Sequence, residues 1–510
     1  MDNNNHKGSV TSKGITGMLW NLSGSVIQIL LQFVVIGILA RLLTPEEFGI
    51  VAVMMILVNF SSLFSEMGIS TALIQLPSIT EQHIAQGYTL AFLIGLSIGI
   101  AFYFFAPTLA AFFDIENADN AVRFFALFFP LGSINGITSA LLSRKLRFKV
   151  LVKVGAFSYL LGLGPISITL ALLDFGFWSL IWGQFASLII AMSVLMYYER
   201  PVFSFRLQKP IVKELLFFGS GHTLGSIFNY FAENADNIIV GKSLGTVALG
   251  IYSKAFQLLA VPAKFFGGIF DSVLFPILSQ KQAQKTKLSD FYLFSTAICF
   301  GLLLPVTVLI YINAEFIVNT LLGDQWNEVV LPLQILIFGL AYRFGTKINK
   351  SYIKSMGLVY RGAYYQFIFA FLMIVCCLLG SLWGGLNGVA FGVLVATVLN
   401  YLQVSYRLYV ELQFSKSSFS LLHGKTLLCS IPFILITVLL NRFGIVSVWV
   451  HLGLSLFVYL PLLFFLFFHK KSVIFNEENL PLITHILKSF PGAFQKVFLK
   501  FRFFQRYYAQ

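Results

Sequence analysis

Fourteen apolar stretches run through the chain, separated by short polar loops. They cover residues 17–40, 48–65, 85–112, 121–143, 151–173, 176–198, 213–241, 246–278, 291–312, 329–356, 361–383, 385–410, 425–441 and 446–469. A helix crosses the hydrocarbon core of a bilayer in about 20 apolar residues. Each stretch therefore predicts a transmembrane helix, and the pattern as a whole predicts an all-α membrane protein.

The polar loops alternate in charge. With the N-terminus inside, the inner segments carry Lys7 and Lys13, then Arg144, Lys145, Arg147, Lys149 and Lys153, then Arg200, Arg206, Lys209 and Lys213. Lys281, Lys285, Lys287, Lys354, Arg361, Arg407, Lys416 and Lys425 continue the series, and the tail adds seven more between Lys470 and Arg506. The outer loops hold only Arg41, Arg123, Lys242 and Arg442. Basic loops resist translocation, so this bias predicts cytoplasmic N- and C-termini.

Composition narrows the class. At 57% hydrophobic and 11% charged residues, with a mean hydropathy of +0.83, no length remains for a sizeable soluble domain. A net charge of +14 would suit a nucleic-acid binder if it were clustered. Here it is dispersed among membrane-flanking segments, which implies topology control and contact with anionic lipid, and no nucleic acid. The polar first 16 residues lead into an apolar run without a small-residue cleavage motif, so the first span reads as uncleaved. Cys299, Cys376, Cys377 and Cys429 fall in predicted spans without metal-ligand spacing.

A 201-residue shift lays spans 1 and 2 over spans 7 and 8 without a gap. Ile38/Ile239, Leu43/Leu244, Gly49/Gly250 and Ile50/Ile251 coincide, and Arg41 falls on Lys242. An even number of spans separates the copies, so they run in the same direction, as in transporters built from parallel repeats. The expected architecture is two pseudo-symmetric six-helix bundles, 1–198 and 213–410, joined by an interfacial linker at 199–212. An additional helix pair, 13 and 14, occupies 411–469, and a basic cytoplasmic tail runs over 470–510.

Several charges fall inside the predicted spans, where each costs about 2.5–3.5 kcal/mol at the bilayer centre. Arg343, Lys347 and Lys350 recur at i, i+4 and i+7 and form one stripe on span 10. A stripe of this kind must line a wet cavity, pair with acids, or reach for the interface. In span 7, Asn229, Glu233, Asp236 and Asn237 read as one face. Glu233 and Asp236 either neutralise basic residues on spans 8 and 10 or take up a proton or Na⁺ during transport. In span 8, Lys264 and Asp271 share a face, Lys254 points to another sector, and Pro262 predicts a kink.

A basic wet cavity calls for an anionic ligand. Arg343, Lys347, Lys350, Lys264 and Lys254 are the candidates to bind it, and Glu233, Asp236 and Asp271 the candidates for ion coupling or charge pairing. The sequence holds no phosphate-cradling glycine loop, no His/Glu zinc spacing and no catalytic constellation, so neither a metal nor a cofactor is expected. Coupling to H⁺ or Na⁺ is the expected energy source.

Several stretches resemble one family. These are Ala40-Arg41-Leu42-Leu43-Thr44-Pro45-Glu46-Glu47-Phe48-Gly49, Ser143-Arg144-Lys145-Leu146-Arg147-Phe148-Lys149, Asp236-Asn237-Ile238-Ile239-Val240-Gly241-Lys242, and Leu249-Gly250-Ile251-Tyr252-Ser253-Lys254-Ala255 followed by Pro262. Over residues 14–470 the chain is similar to the polysaccharide transport (Wzx-type) flippases of the multidrug/oligosaccharidyl-lipid/polysaccharide exporter superfamily. The likeness is to exporters of colanic-acid or teichuronic-acid type. The resemblance implies a flippase, not an enzyme, that moves undecaprenyl-diphosphate-linked oligosaccharide repeat units across the bacterial inner (plasma) membrane by ion-coupled alternating access. Membrane lipids and other polysaccharide-assembly membrane proteins are the further partners it implies.

Two rivals come from the same superfamily: a lipid-linked peptidoglycan precursor flippase and a cation-coupled multidrug antiporter. The antiporter predicts an acid-lined cavity, against the basic stripe seen here. A membrane polysaccharide polymerase or ligase would need a larger outer loop than the longest present, 313–328.

Overall fold

The computed structural model of the chain describes residues 31–65, 68–115, 118–204, 206–280 and 285–442. Predicted span 14, most of span 1 and the basic tail lie outside these residues. Every regular element among the described residues is helical, and seven of the helices are long and apolar enough to cross a membrane, or eight if the broken pair near residue 338 is one span. The protein is a multi-pass membrane protein. The chain divides into two compact units. Unit 1 holds residues up to Gly268 together with Ala314–Gly339 and Ala363–Asn400, and unit 2 holds Ile269–Asn313, Leu340–Gly362 and the chain from Tyr401 onward.

In unit 1, α1 (Leu31–Leu42) ends at a short turn into α2 (Pro45–Ser65). The sequence Thr44-Pro45-Glu46-Glu47 dictates that start. Proline suits the first helical position, and the Glu47 carboxylate accepts from Thr44 N and Thr44 Oγ1 at 2.7 and 2.9 Å. After α3 (Ile69–Gln75), α4 (Glu81–Phe104) opens on a Thr80–His83 capping box. Helices α5 (Ala106–Phe112) and α6 (Asp119–Phe125) lead to α7 (Phe128–Arg144), which packs along α4. Small residues let them approach: a Cβ on Gly95 would lie 2.8 Å from Phe129 O, and one on Gly99 2.7 Å from Ala126 O. Arg144 closes α3 by donating to the carbonyls of Leu73, Ile74, Leu76 and Pro77.

One apolar crossing is built from α8 (Phe148–Ser158), a π-helical turn at Tyr159–Leu163 and α9 (Gly164–Leu172), and α10 (Phe177–Tyr198) returns beside it. The linker after α10 is clipped to α4, where buried Gln86 and Thr89 accept from Gln208 N and Ser204 N.

α11 (Lys209–Gln280) is a 72-residue helical element broken at Gly245, whose φ of 84° favours glycine. At 1.5 Å per residue its length would be roughly 108 Å, and the break at Gly245 divides it into two legs. The expected kink at Pro262 does not interrupt the helical backbone angles, which fail only at Gly245. α2 and the second leg of α11 touch backbone to backbone at Gly49 and Gly250.

Unit 1 also contains α13 (Ala314–Leu321), a 3₁₀ turn at Asp324–Val329 and α14 (Val330–Ile337). Most of α16 (Val359–Leu412) belongs here too, and it breaks at Gly384–Gly385. Its two legs pack through glycine, since a Cβ on Gly388 would fall 2.0 Å from Gly380 O and one on Gly392 2.3 Å from Cys376 O.

In unit 2, α12 (Lys285–Ile312) packs on α15 (Leu340–Ser355) and α17 (Lys416–Arg442). An aromatic core of Tyr292, Phe300, Tyr352, Tyr401 and Phe414 joins them. His423 sits against Phe300 and accepts from the Tyr401 hydroxyl at 2.9 Å.

Candidate functional site

The basic stripe is real as a helical face. On α15, Leu340, Ala341, Phe344, Gly345, Ile348, Asn349, Tyr352 and Ile353 are buried. Arg343 and Lys350 are half-buried, and Lys347 is exposed. The buried set and the basic set occupy opposite sides of one helix. The buried side is pressed tight, because a Cβ on Gly345 would lie 2.4 Å from the Tyr401 ring. The core of unit 2 therefore fixes the rotation of α15 and holds the three cations on its other side. The apolar run predicted as span 10 is not one helix: α14 ends at Ile337 and α15 starts at Leu340.

The acids of span 7 separate. Asp236 is fully buried, whereas Glu233 is exposed. Asp236 Oδ2 accepts from the Tyr252 hydroxyl at 2.7 Å, and Oδ1 accepts from Asn237 N at 2.8 Å and Asn237 Nδ2 at 3.1 Å. Tyr252 comes from the second leg of α11, so the buried carboxylate ties the two legs together. Asn229 instead accepts from Gln366 on α16 at 2.9 Å.

Lys254 stands apart from the stripe, in unit 1 and 5% exposed. Its Nζ lies 3.4 Å from the centroid of the Phe48 ring and 5.9 Å from that of Trp326, and it reaches Gln257 Oε1 at 3.4 Å. Two aromatic faces hold this cation in place of an acid. It lines a small cavity with Phe33, Gly37, Gln257 and Leu321. The side chains of Lys264 and Asp271 lie outside the described residues.

Sequence reasoning missed the frame around Lys254. Trp326 Nε1 donates to Ala40 O at 2.7 Å, and Gln325 Nε2 donates to the carbonyls of Ala40 and Leu43. Arg41 donates to Thr320 O at 2.7 Å, while Lys242 pairs with Asp114 at 2.7 Å. Thus Arg41 reaches the end of α13, and Lys242 reaches the residue two past the end of α5. The polar turn residues near 324–326 signalled a loop but gave no hint of its partner.

No cluster of three or more His, Cys, Asp or Glu side chains able to hold a metal occurs among the described residues. Among the described residues the candidate groups are cations on an amphipathic helix, a sealed acid and a sealed lysine.

A family model described as polysaccharide biosynthesis protein matches residues 38–331, more than half of the chain. The chain belongs to this family. The resemblance to Wzx-type proteins is thereby established. Succinoglycan biosynthesis transport protein ExoT of Rhizobium meliloti is 29% identical over 68% of this chain and 71% of its own length. Lipopolysaccharide biosynthesis protein WzxC of Escherichia coli is 24% identical over 77% of this chain and 80% of its own. Among solved structures, the lipid II flippase MurJ in an inward closed conformation superposes with a TM-score of 0.71, covering 87% of this chain and 97% of that one. At 13% identity that likeness carries the fold alone: the chain shares the helical architecture of that structure.

Proposed function

We propose that this protein is a flippase that translocates undecaprenyl-diphosphate-linked oligosaccharide repeat units from the inner to the outer leaflet of the bacterial inner membrane, by ion-coupled alternating access. The observation that carries it is the stripe of Arg343, Lys347 and Lys350 on the side of α15 opposite the core of unit 2. A diphosphate head group is the anion that suits a guanidinium fork flanked by two ammoniums. The names of the related succinoglycan and lipopolysaccharide proteins support a polysaccharide precursor as the cargo and transport as the activity.

In this reading the chain has fourteen spans in two pseudo-symmetric bundles plus a helix pair, with both termini cytoplasmic. The paired contacts of Arg41 and Lys242, aligned by the 201-residue shift, support the symmetry. Asp236 serves as a structural tie between passes, and Glu233, being exposed, remains the coupling candidate of the two. The shared fold with a lipid II flippase keeps a peptidoglycan precursor as the second reading, and it predicts the same head group with a different glycan.

The test is a clean gene deletion in a strain with no second flippase. Lipid-linked oligosaccharide should accumulate on the inner leaflet while its synthesis continues, and surface polysaccharide should disappear. Unchanged surface polysaccharide with intact peptidoglycan would overturn both readings.

A further inference from the structure

Lys254 is a buried cation at a position where the fold does not need one. The 201-residue shift lays it on Val53, which is fully buried, so an apolar side chain fills the equivalent place in the first repeat. Among the described residues no carboxylate pairs with Lys254. Its ammonium meets the rings of Phe48 and Trp326 and makes one long hydrogen bond to Gln257. Desolvating an ammonium costs more than such contacts return, so its burial calls for a reason beyond packing.

The walls of this cage also close one end of unit 1. Phe48 precedes Gly49, whose backbone abuts Gly250, and the Phe48 and Trp326 rings meet edge to face at 5.5 Å. Trp326 is held in turn by Ala40 O, and the contacts of Arg41 with Thr320 O and of Lys242 with Asp114 belong to the same turns. The proposed topology places this end outside. Separation of the α1–α2 turn, the Gly245 turn and the 3₁₀ turn would carry both rings away and uncover the ammonium. In the closed form the cavity beside Lys254, lined by Phe33, Ile36, Gln257 and Leu321, measures about 10 Å³. That is room for roughly one water molecule, and a phosphate group does not fit. The cation can therefore take such an anion only after the turns part.

We infer that Lys254 is a second anion site, masked by Phe48 and Trp326 in this conformation and offered to the phosphates of the cargo once these turns separate. A diphosphate supplies the charge-assisted bonds that the cage withholds. An anion that binds only the open form favours it by its differential affinity, so the cargo itself promotes the opening. The cargo named here rests on the function proposed above, whereas the caged cation does not.

The full-length protein, with Cys299, Cys376, Cys377 and Cys429 replaced by serine, is spin-labelled at Glu46→Cys and Ser243→Cys, two exposed positions on the turns that meet at Gly49 and Gly250. In detergent, the distance between the labels is measured against inorganic pyrophosphate and geranyl diphosphate, with geraniol as the uncharged control. Both diphosphates should lengthen it saturably, and geraniol should leave it unchanged. Lys254→Met keeps the stem without the charge and should raise the half-saturating concentration by roughly tenfold or more. Lys254→Arg should largely keep it. The α15 stripe is intact in every variant, so the difference reads Lys254 alone. Should Lys254→Met fail to accumulate, Lys254→Gln carries the same comparison. A half-saturating concentration unmoved by loss of the cation, or turns that stay closed at high diphosphate, overturns the proposal. The deletion strain separates that failure from failure of the flippase reading. Normal export by Lys254→Met at wild-type abundance sinks the masked site alone, and unchanged surface polysaccharide without the gene sinks the flippase reading alone.

Discussion

Gly49 and Gly250 meet in a contact that reads the same from either side. A Cβ on Gly49 would fall 1.8 Å from Thr246 O, and a Cβ on Gly250 would fall 1.9 Å from Pro45 O. Each would also lie 3.1 Å from the amide nitrogen of the other glycine. Pro45 and Thr246 are themselves related by the 201-residue shift that relates Gly49 to Gly250. A contact between equivalent residues that exchanges equivalent partners has the form of an isologous interface, the signature of a two-fold relationship. Here it lies within one chain, on the turn where the sequence repeat is most legible.

The reciprocity makes a sharp prediction. Overpacking commonly costs about 1–3 kcal/mol, and a methyl group aimed at a backbone carbonyl has no flexible neighbour to displace. Gly49→Ala and Gly250→Ala should each lower the melting temperature of the detergent-purified protein, by similar amounts. One harmless variant beside one severe variant would show that the contact is not a symmetric one.

The fold class was legible because apolar length and loop charge are one-dimensional signals. The breaks at Gly245 and Gly384 fall between predicted spans, and Gly385 opens the next one, where glycine interrupts the apolar run. The break between α14 and α15 was not legible, because apolar residues continue across Phe338 and Gly339. The basic stripe was read from its spacing alone. The grouping of Glu233 with Asp236 was too coarse, since three residues advance a helix by about 300°, which is enough offset for one to be sealed and the other exposed. Lys254 was grouped with the anion-binding residues because charge is visible in sequence. Its aromatic partners are not, since Phe48 and Trp326 are distant along the chain and only tertiary packing brings them to it.

Tyr252→Phe tests the tie between the two legs of α11. It removes the hydroxyl that donates to the sealed Asp236 and leaves a buried carboxylate short of a partner. Hydrogen bonds to charged groups contribute about 1.5–3 kcal/mol, so folded protein in the membrane should fall. Adding Asp236→Asn should return part of the loss, because the neutral amide needs less compensation. Undiminished stability in Tyr252→Phe would remove Asp236 from its structural role.

Lys254→Met separates packing from charge. Methionine matches the length of the lysine stem and would keep the contact with Phe48 and Trp326 while removing the buried ammonium. Replacing a buried ion by an apolar side chain of similar volume is often neutral or stabilising, so membrane abundance and melting temperature should hold or rise. Lys254→Ala should instead leave a void and lower both. A marked loss of stability in Lys254→Met would show that the cation itself holds the α2–α11 contact together.

Arg343 is the decisive residue for the proposed cargo. Its guanidinium offers a fork to the diphosphate, and charge-assisted bonds of this kind contribute about 1.5–3 kcal/mol, which corresponds to an order of magnitude or more in binding. Arg343→Ala should therefore reduce export of lipid-linked repeat units at least tenfold at unchanged membrane abundance. Arg343→Lys should recover part of it, because the charge stays and the fork is lost. The opposing account makes Arg343 a structural partner of an acid, in which case its removal strands a buried carboxylate and abundance falls with export. Rescue of abundance and export together by a second change, Glu233→Gln or Asp236→Asn, would establish the pair and end the head-group role. Measured export against measured abundance, variant by variant, decides between them.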